Sequence, residues 1–169
     1  MPTQPPPYNR RSRMLARLDF SWGASGSKLG YIAKKGLWMS RFRPGGPHAL
    51  WIAGHLSYYE GAARKLYEGL DSNPLEDWKG LFGNGSPCLD DASAYPDPAS
   101  VLETLKSGRS MTRSAIASLS ELDLDRTVLN ERLAIQDLQS QIEFLIWHDA
   151  HHGAQLGAIV SEYKDSLTN

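Results

Sequence analysis

The segment Trp147 to Leu156 reads WHDAHHGAQL and places three of the chain's five histidines within five residues. His148 and His152 stand four residues apart, so on an α-helix they project from one face, separated by roughly 6 Å along the axis. Two imidazoles placed this way can share one metal ion. A catalytic zinc, however, usually takes three protein ligands and keeps a position for water or substrate. The third candidate is His55 in LWIAGHLSYYEGA, where Ala53 and Leu56 mark the segment as inward-facing. Taken singly, these residues also fit a core histidine satisfied by one hydrogen bond and a polar stripe on a helix. Together they favour a metal: three imidazoles in one core each need a partner for their buried ring nitrogens, and a shared metal serves all three at once. Because an imidazole must be neutral to bind, protons should compete for the site below about pH 6.

The neighbours of these histidines have expected places. His151 is off the ligand face by about one residue and is expected behind the ligands or at the rim. His48, beside Pro47, is expected in an exposed loop. Trp51, Tyr58, Tyr59 and Trp147 read as core packing, or else Tyr59, four residues after His55, lines the pocket and offers its hydroxyl to a ligand. Glu60 is less well aligned. HDAHH also has the spacing of the zincin motif with Asp149 in place of glutamate, but aspartate is one methylene shorter and little chain follows His152 to supply a third ligand. Asp149 is instead expected to orient a histidine or to sit at the pocket rim. No glycine-rich phosphate loop, Ser-His-Asp order or paired-carboxylate pattern stands out.

Helices are the elements that must position these groups, since apolar residues recur at helical rather than alternating spacing. The first helix carries Leu15, Leu18, Trp22, Leu29 and Ile32, weakened by Gly23, Gly26 and Gly30. The second, with Pro47 in its first turn, carries Ala49, Ala53, Leu56, Ala63, Leu66 and Leu70 and ends near Gly69. Turn-forming residues from Asp71 to Tyr95 predict a long surface connection. Asp97 caps a third helix with Pro98 at its first position and Val101, Leu102, Leu105, Ile116 and Leu119 on its apolar side. The fourth runs from about Asp137 to about Tyr163. These predict an all-α four-helix bundle in which the long connection frees the second and third helices from antiparallel pairing and lets the second and fourth face one another.

Composition sets the surroundings. At 169 residues and 41% apolar the chain makes one domain, residues 9–169, after a disordered proline-rich lead-in over residues 1–8. Eighteen Lys and Arg balance 19 Asp and Glu for a net charge of -1, so no nucleic-acid partner is expected. The four arginines from Arg10 to Arg17 read as the solvated face of the first helix. Cys88 stands alone, so no intramolecular disulfide can form. The N-terminus lacks the apolar core of a signal peptide and no apolar run approaches the ~20 residues that span a bilayer. A soluble cytoplasmic protein with no membrane partner is expected.

LWIAGHLSYYEGA and WHDAHHGAQLGAI, with RFRPGG before the first and YPDPASVLETL opening the third helix, resemble the DinB-like family of metal-dependent hydrolases and thiol transferases. The resemblance runs from about Leu15 to Tyr163. The family pattern of one histidine on the second helix and His-x-x-x-His on the fourth, followed by Gly and Gln, falls on His55, His148 and His152 with Gly153 and Gln155. The spacing Gly-Ala-Gln departs from the usual Gly-Gln, which leaves the role of Gln155 open. The resemblance implies a four-helix bundle, one divalent metal per chain, zinc or nickel, and a homodimer. It also implies a small-molecule substrate, with a low-molecular-weight thiol such as bacillithiol or mycothiol as reactant. An open metal position would lower the pKa of a bound thiol, or activate water for hydrolysis. The alternative is a non-catalytic metal-containing protein that binds a small ligand or serves a stress response.

Overall fold

Asn9 caps the first helix by accepting the Ser12 N–H at 2.8 Å, and α1 (Arg10–Lys35) then continues to a left-handed Gly36. In the computed structural model, which describes residues 9–130 and 135–168, the three glycines expected to weaken α1 lie within an unbroken helix. Its buried seam of Met14, Leu18, Ser21, Trp22, Ser25, Leu29 and Ile32 outweighs their low propensity. Met14 rather than Leu15 leads that seam. The other elements are α2 (Ala49–Glu68), a single-turn α3 (Lys79–Phe82), α4 (Pro98–Ser118), a short antiparallel pair β1 (Thr127–Asn130) and β2 (Ile135–Asp137), and α5 (Leu138–Ser166). Among the described residues the protein is therefore mostly helical, with four long α-helices, one short one and a small two-stranded sheet.

Local chemistry sets the ends. Gly69, at φ 67°, closes α2 as expected, and Asp97 accepts the N–H groups of Ala99 and Ser100 to cap α4 with Pro98 at its first position. Asp137 caps α5 through the Ser140 N–H. The β hairpin was not expected, and its first strand holds only Val128 and Leu129 as apolar residues. Part of the arginine run is structural: Arg10 pairs with Glu121 at 3.3 Å and Asp125 at 2.7 Å, pinning the α4–α5 connection. The lead-in over residues 1–8 lies outside the described residues.

Contacts give the helix directions. Arg10 meets Gln139, Ser21 meets Asp149 and Tyr31 meets Tyr163, so α1 and α5 run parallel. Ser57 bonds the Val101 carbonyl and Glu60 packs against Gly108, so α2 and α4 are also parallel neighbours. The long connection between them allows this arrangement, which a tight loop cannot make. It is less of a surface feature than expected. Phe82 is fully buried, and Asn73 and Tyr95 are buried as well.

The buried apolar residues form two clusters, one around Leu29, Ile52, Leu105 and Leu156 and the other around Leu18, Ile116, Leu138 and Ile142. On each long helix, buried polar residues fall between the two: Ser21 and Ser25 on α1, His55 and Glu60 on α2, Arg109 and Thr112 on α4, and His148, Asp149 and His152 on α5. A polar layer crosses the bundle at mid-height.

Candidate metal centre

His48, expected in an exposed loop, is fully buried and caps α2. Its Nδ1 accepts the Trp51 N–H at 3.0 Å, which leaves Nε2–H to donate to the Leu89 carbonyl at 3.0 Å. Pro47 thus precedes the helix instead of entering it. Two turns on, Gly54 lets Phe82 lie against α2: a Cβ at this position would stand 2.2 Å from the Phe82 ring. The approach delivers the Phe82 carbonyl to His55 Nδ1 at 2.7 Å. A carbonyl only accepts, so Nδ1 carries the proton and the Nε2 lone pair of neutral His55 faces the core.

On α5, His152 is fixed in the same way. Its Nδ1 donates to Gln155 Oε1 at 2.7 Å, while the Gln155 amide nitrogen lies 3.3 Å from exposed His151. His148 presents Nε2 to His55 Nε2 at 3.0 Å, and its Nδ1 is buried with no hydrogen-bond partner among the described residues. One ligand atom from each of His55, His148 and His152 lies within 4.8 Å of the others. Either tautomer of His148 leaves a defect. Proton on Nε2 bonds His55 but strands the Nδ1 lone pair; proton on Nδ1 strands an N–H and sets two lone pairs face to face. A cation between the Nε2 atoms removes that repulsion, so the donor set fits a bound metal.

Burial keeps these rings neutral. Burial first, and neighbouring histidines after it, lower His55 to about 4, His148 to about 2 and His152 to about 4. Proton competition in the folded protein is therefore shifted below the ordinary imidazole range. The Tyr59 ring stands 4.7 Å from those of both His55 and His148. Trp51 stacks on His55 at 4.5 Å. An apolar groove of about 620 Å³ between α1 and α5, lined by Phe20, Ala24, Ala150 and Gly153 among others, includes none of these histidines, so volume does not mark the site.

The model of the DinB superfamily matches residues 9–156, a span that contains all three histidines. The chain belongs to the DinB superfamily. No curated protein matches it. In this DinB protein, as in the sequence reading, the histidine of the second long helix meets the pair on the last.

Asp149 differs from expectation. It bonds no histidine and does not reach the rim: its buried carboxylate accepts from Ser21 at 2.6 Å, from Ser25 at 3.0 Å and from Arg109. At 100° per residue it stands a quarter-turn from His148 and faces α1 and α4 instead of α2. Glu60 joins this side of the layer, its carboxylate 4.0 Å from Arg109 and pushed up to about 7 by burial, against the opposing pull of the Arg109 charge. Ser21, Ser25 and Arg109 escaped sequence reasoning because nothing local marks a serine or arginine as buried. Phe82 escaped it because a backbone carbonyl has no residue signature.

Proposed function

We propose that His55, His148 and His152 of this DinB protein bind one divalent metal ion, zinc or nickel, through Nε2, and that the site is that of a metal-dependent enzyme. Transfer to a low-molecular-weight thiol is the leading activity, and hydrolysis is the other chemistry the site would support. The observation that carries the reading is the pair of fixed tautomers, in which Phe82 and Gln155 hold the Nδ1 protons of His55 and His152 and leave both Nε2 lone pairs directed inward.

Each residue has a task. Phe82 and Gln155 orient the rings, and burial keeps the rings unprotonated and ready to donate. Tyr59 brings a phenolic group to the mouth of the triad, within reach of a small ligand. When bound, the ion supplies Lewis acidity, which lowers the pKa of a thiol or water placed beside it. Cys88 has another setting: its sulfur accepts from Arg41 at 3.3 Å and from the His48 N–H at 3.4 Å, contacts that do not involve the triad. The protein is expected to act as a homodimer in the cytoplasm.

The test is a screen of the metal-loaded, tag-free protein with small thiols and an electrophile. The expected activity depends on added thiol, disappears on chelation and survives Cys88→Ala. Loss of activity in Cys88→Ala with metal retained would move the nucleophile into the protein and overturn the external-thiol reading. Thiol binding without turnover would favour a non-catalytic ligand-binding protein.

A further inference from the structure

Trp147 and Asp149 precede and follow His148 and so stand about 100° to either side of it on α5. Asp149 is buried against α1 and α4, whereas Trp147 is 58% exposed. The mouth of the triad therefore opens on the Trp147 side. There the α5 side chains form a closed aromatic circuit. Phe144 stacks on His148 with centroids 5.7 Å apart and planes 20° apart, and Trp147 stacks on His151 at 5.5 Å and 22°. Phe144 and Trp147 meet at 5.7 Å, and His151 meets His152 at 5.0 Å. Across the mouth stand Tyr59 and, stacked on His55, Trp51.

This rim is aromatic. Among the described residues no salt bridge or cation–π contact involves Trp51, Phe144 or Trp147. The buried ion pair of the polar layer, Asp149 with Arg109, lies on the far side of α5. A flat apolar group would find rings already held in stacking orientation, with little side-chain freedom left to lose.

The geometry points to a substrate class: the site takes molecules bearing an aromatic or other flat apolar group, and Trp147, supported by Phe144, is the surface on which that group stacks. Trp147 is a specificity-determining residue, outside the ligand set. This assignment rests on the reading of the triad as a metal site with an open position.

The test uses two probes with the same metal-chelating head, acetohydroxamate and benzohydroxamate, titrated calorimetrically into the zinc-loaded full chain. Benzohydroxamate is expected to bind roughly tenfold more tightly, the scale of one aromatic stacking contact with its buried area. Trp147→Ala should reduce that preference to about threefold or less, leaving zinc content and acetohydroxamate affinity unchanged. Trp147→Phe should restore most of it. Equal affinities in the wild type, or a preference that survives Trp147→Ala, would overturn the assignment while leaving the metal reading intact. If zinc is bound but neither hydroxamate binds, the open position itself is wrong and both readings fail together.

Discussion

His148 and Asp149 are neighbours in the chain and both are buried, yet they belong to two opposite kinds of polar interior. On the His148 side, three neutral rings converge, the Nε2 lone pairs of His55 and His152 directed inward, and leave a donor set without a charge to balance it. On the Asp149 side, a carboxylate is met by two hydroxyls and a guanidinium, and the charges are largely answered within the protein. A buried polar group is tolerated only when partnered. The Asp149 carboxylate meets that requirement with the protein's own residues and so ties α1, α4 and α5 together, while Glu60 Oε2, Arg109 Nε and Thr112 Oγ1 beside it have no hydrogen-bond partner among the described residues. The histidine side instead directs the Nε2 lone pairs of His55 and His152 at a place where a cation from outside would be held. One side of α5 holds the bundle, and the other is free to bind.

The sharpest way to break this contrast is to remove Asp149. Asp149→Ala strands the Arg109 charge in the interior and should cost about 3–5 kcal/mol of stability, read from the urea midpoint. His148→Ala in metal-free protein should cost far less, since it deletes a ring whose Nδ1 is already unpartnered. Equal losses from the two variants would erase the distinction between a structural and a binding side.

Gly54→Ala acts on the histidine side alone. The added methyl must displace the Phe82 ring, at about 1–3 kcal/mol, and the carbonyl that fixes His55 moves with it. Metal affinity should fall by roughly 10- to 100-fold, as for other losses of a ligand's supporting hydrogen bond. Unchanged affinity by competition with a chelating dye would show that Phe82 does not set the His55 tautomer.

The two sides should also respond to pH with opposite sign. His55 and His152 titrate at about 4 in the fold and near ~6.5 when unfolded, so between these values the unfolded chain binds protons that the native one refuses. Stability of the metal-free protein is thus lost as pH falls from about 6.5 toward 4. Glu60 is raised from 4.5 to about 7, so the folded chain keeps a proton that the unfolded one has released, and stability is lost as pH rises through that window. Glu60→Gln, which mimics the protonated acid, should therefore gain Tm relative to wild type between pH 5 and pH 8. A constant difference across that range would mean that Glu60 is not held protonated.

The legible half of this layer was the histidine half, for a physical reason. An i,i+4 pair is a local pattern on one helix, and His55 betrays itself by sitting among Ala53 and Leu56. The helix limits at Gly69 and at Asp97 with Pro98 were legible on the same terms, because caps are local chemistry. Asp149 was misplaced because its orientation depends on which neighbour lies a quarter-turn away, and Arg109 looks in sequence like any surface arginine. His48 was misplaced because a histidine can cap a helix through Nδ1, a role for which Ser, Thr or Asp would have been the expected signal. The hairpin after α4 carried too few alternating residues to announce itself.

The central claim is that the triad is a metal site, and metal content decides it most directly. Tag-free protein purified without chelators, and the same protein after reconstitution with zinc or nickel, should carry about one divalent ion per chain by inductively coupled plasma mass spectrometry. His148→Ala and His152→Ala should each lose most of it, and the double variant all of it, while circular dichroism shows the helices retained. Full occupancy in the double variant, or a wild type that takes up no ion on reconstitution, would contradict the account.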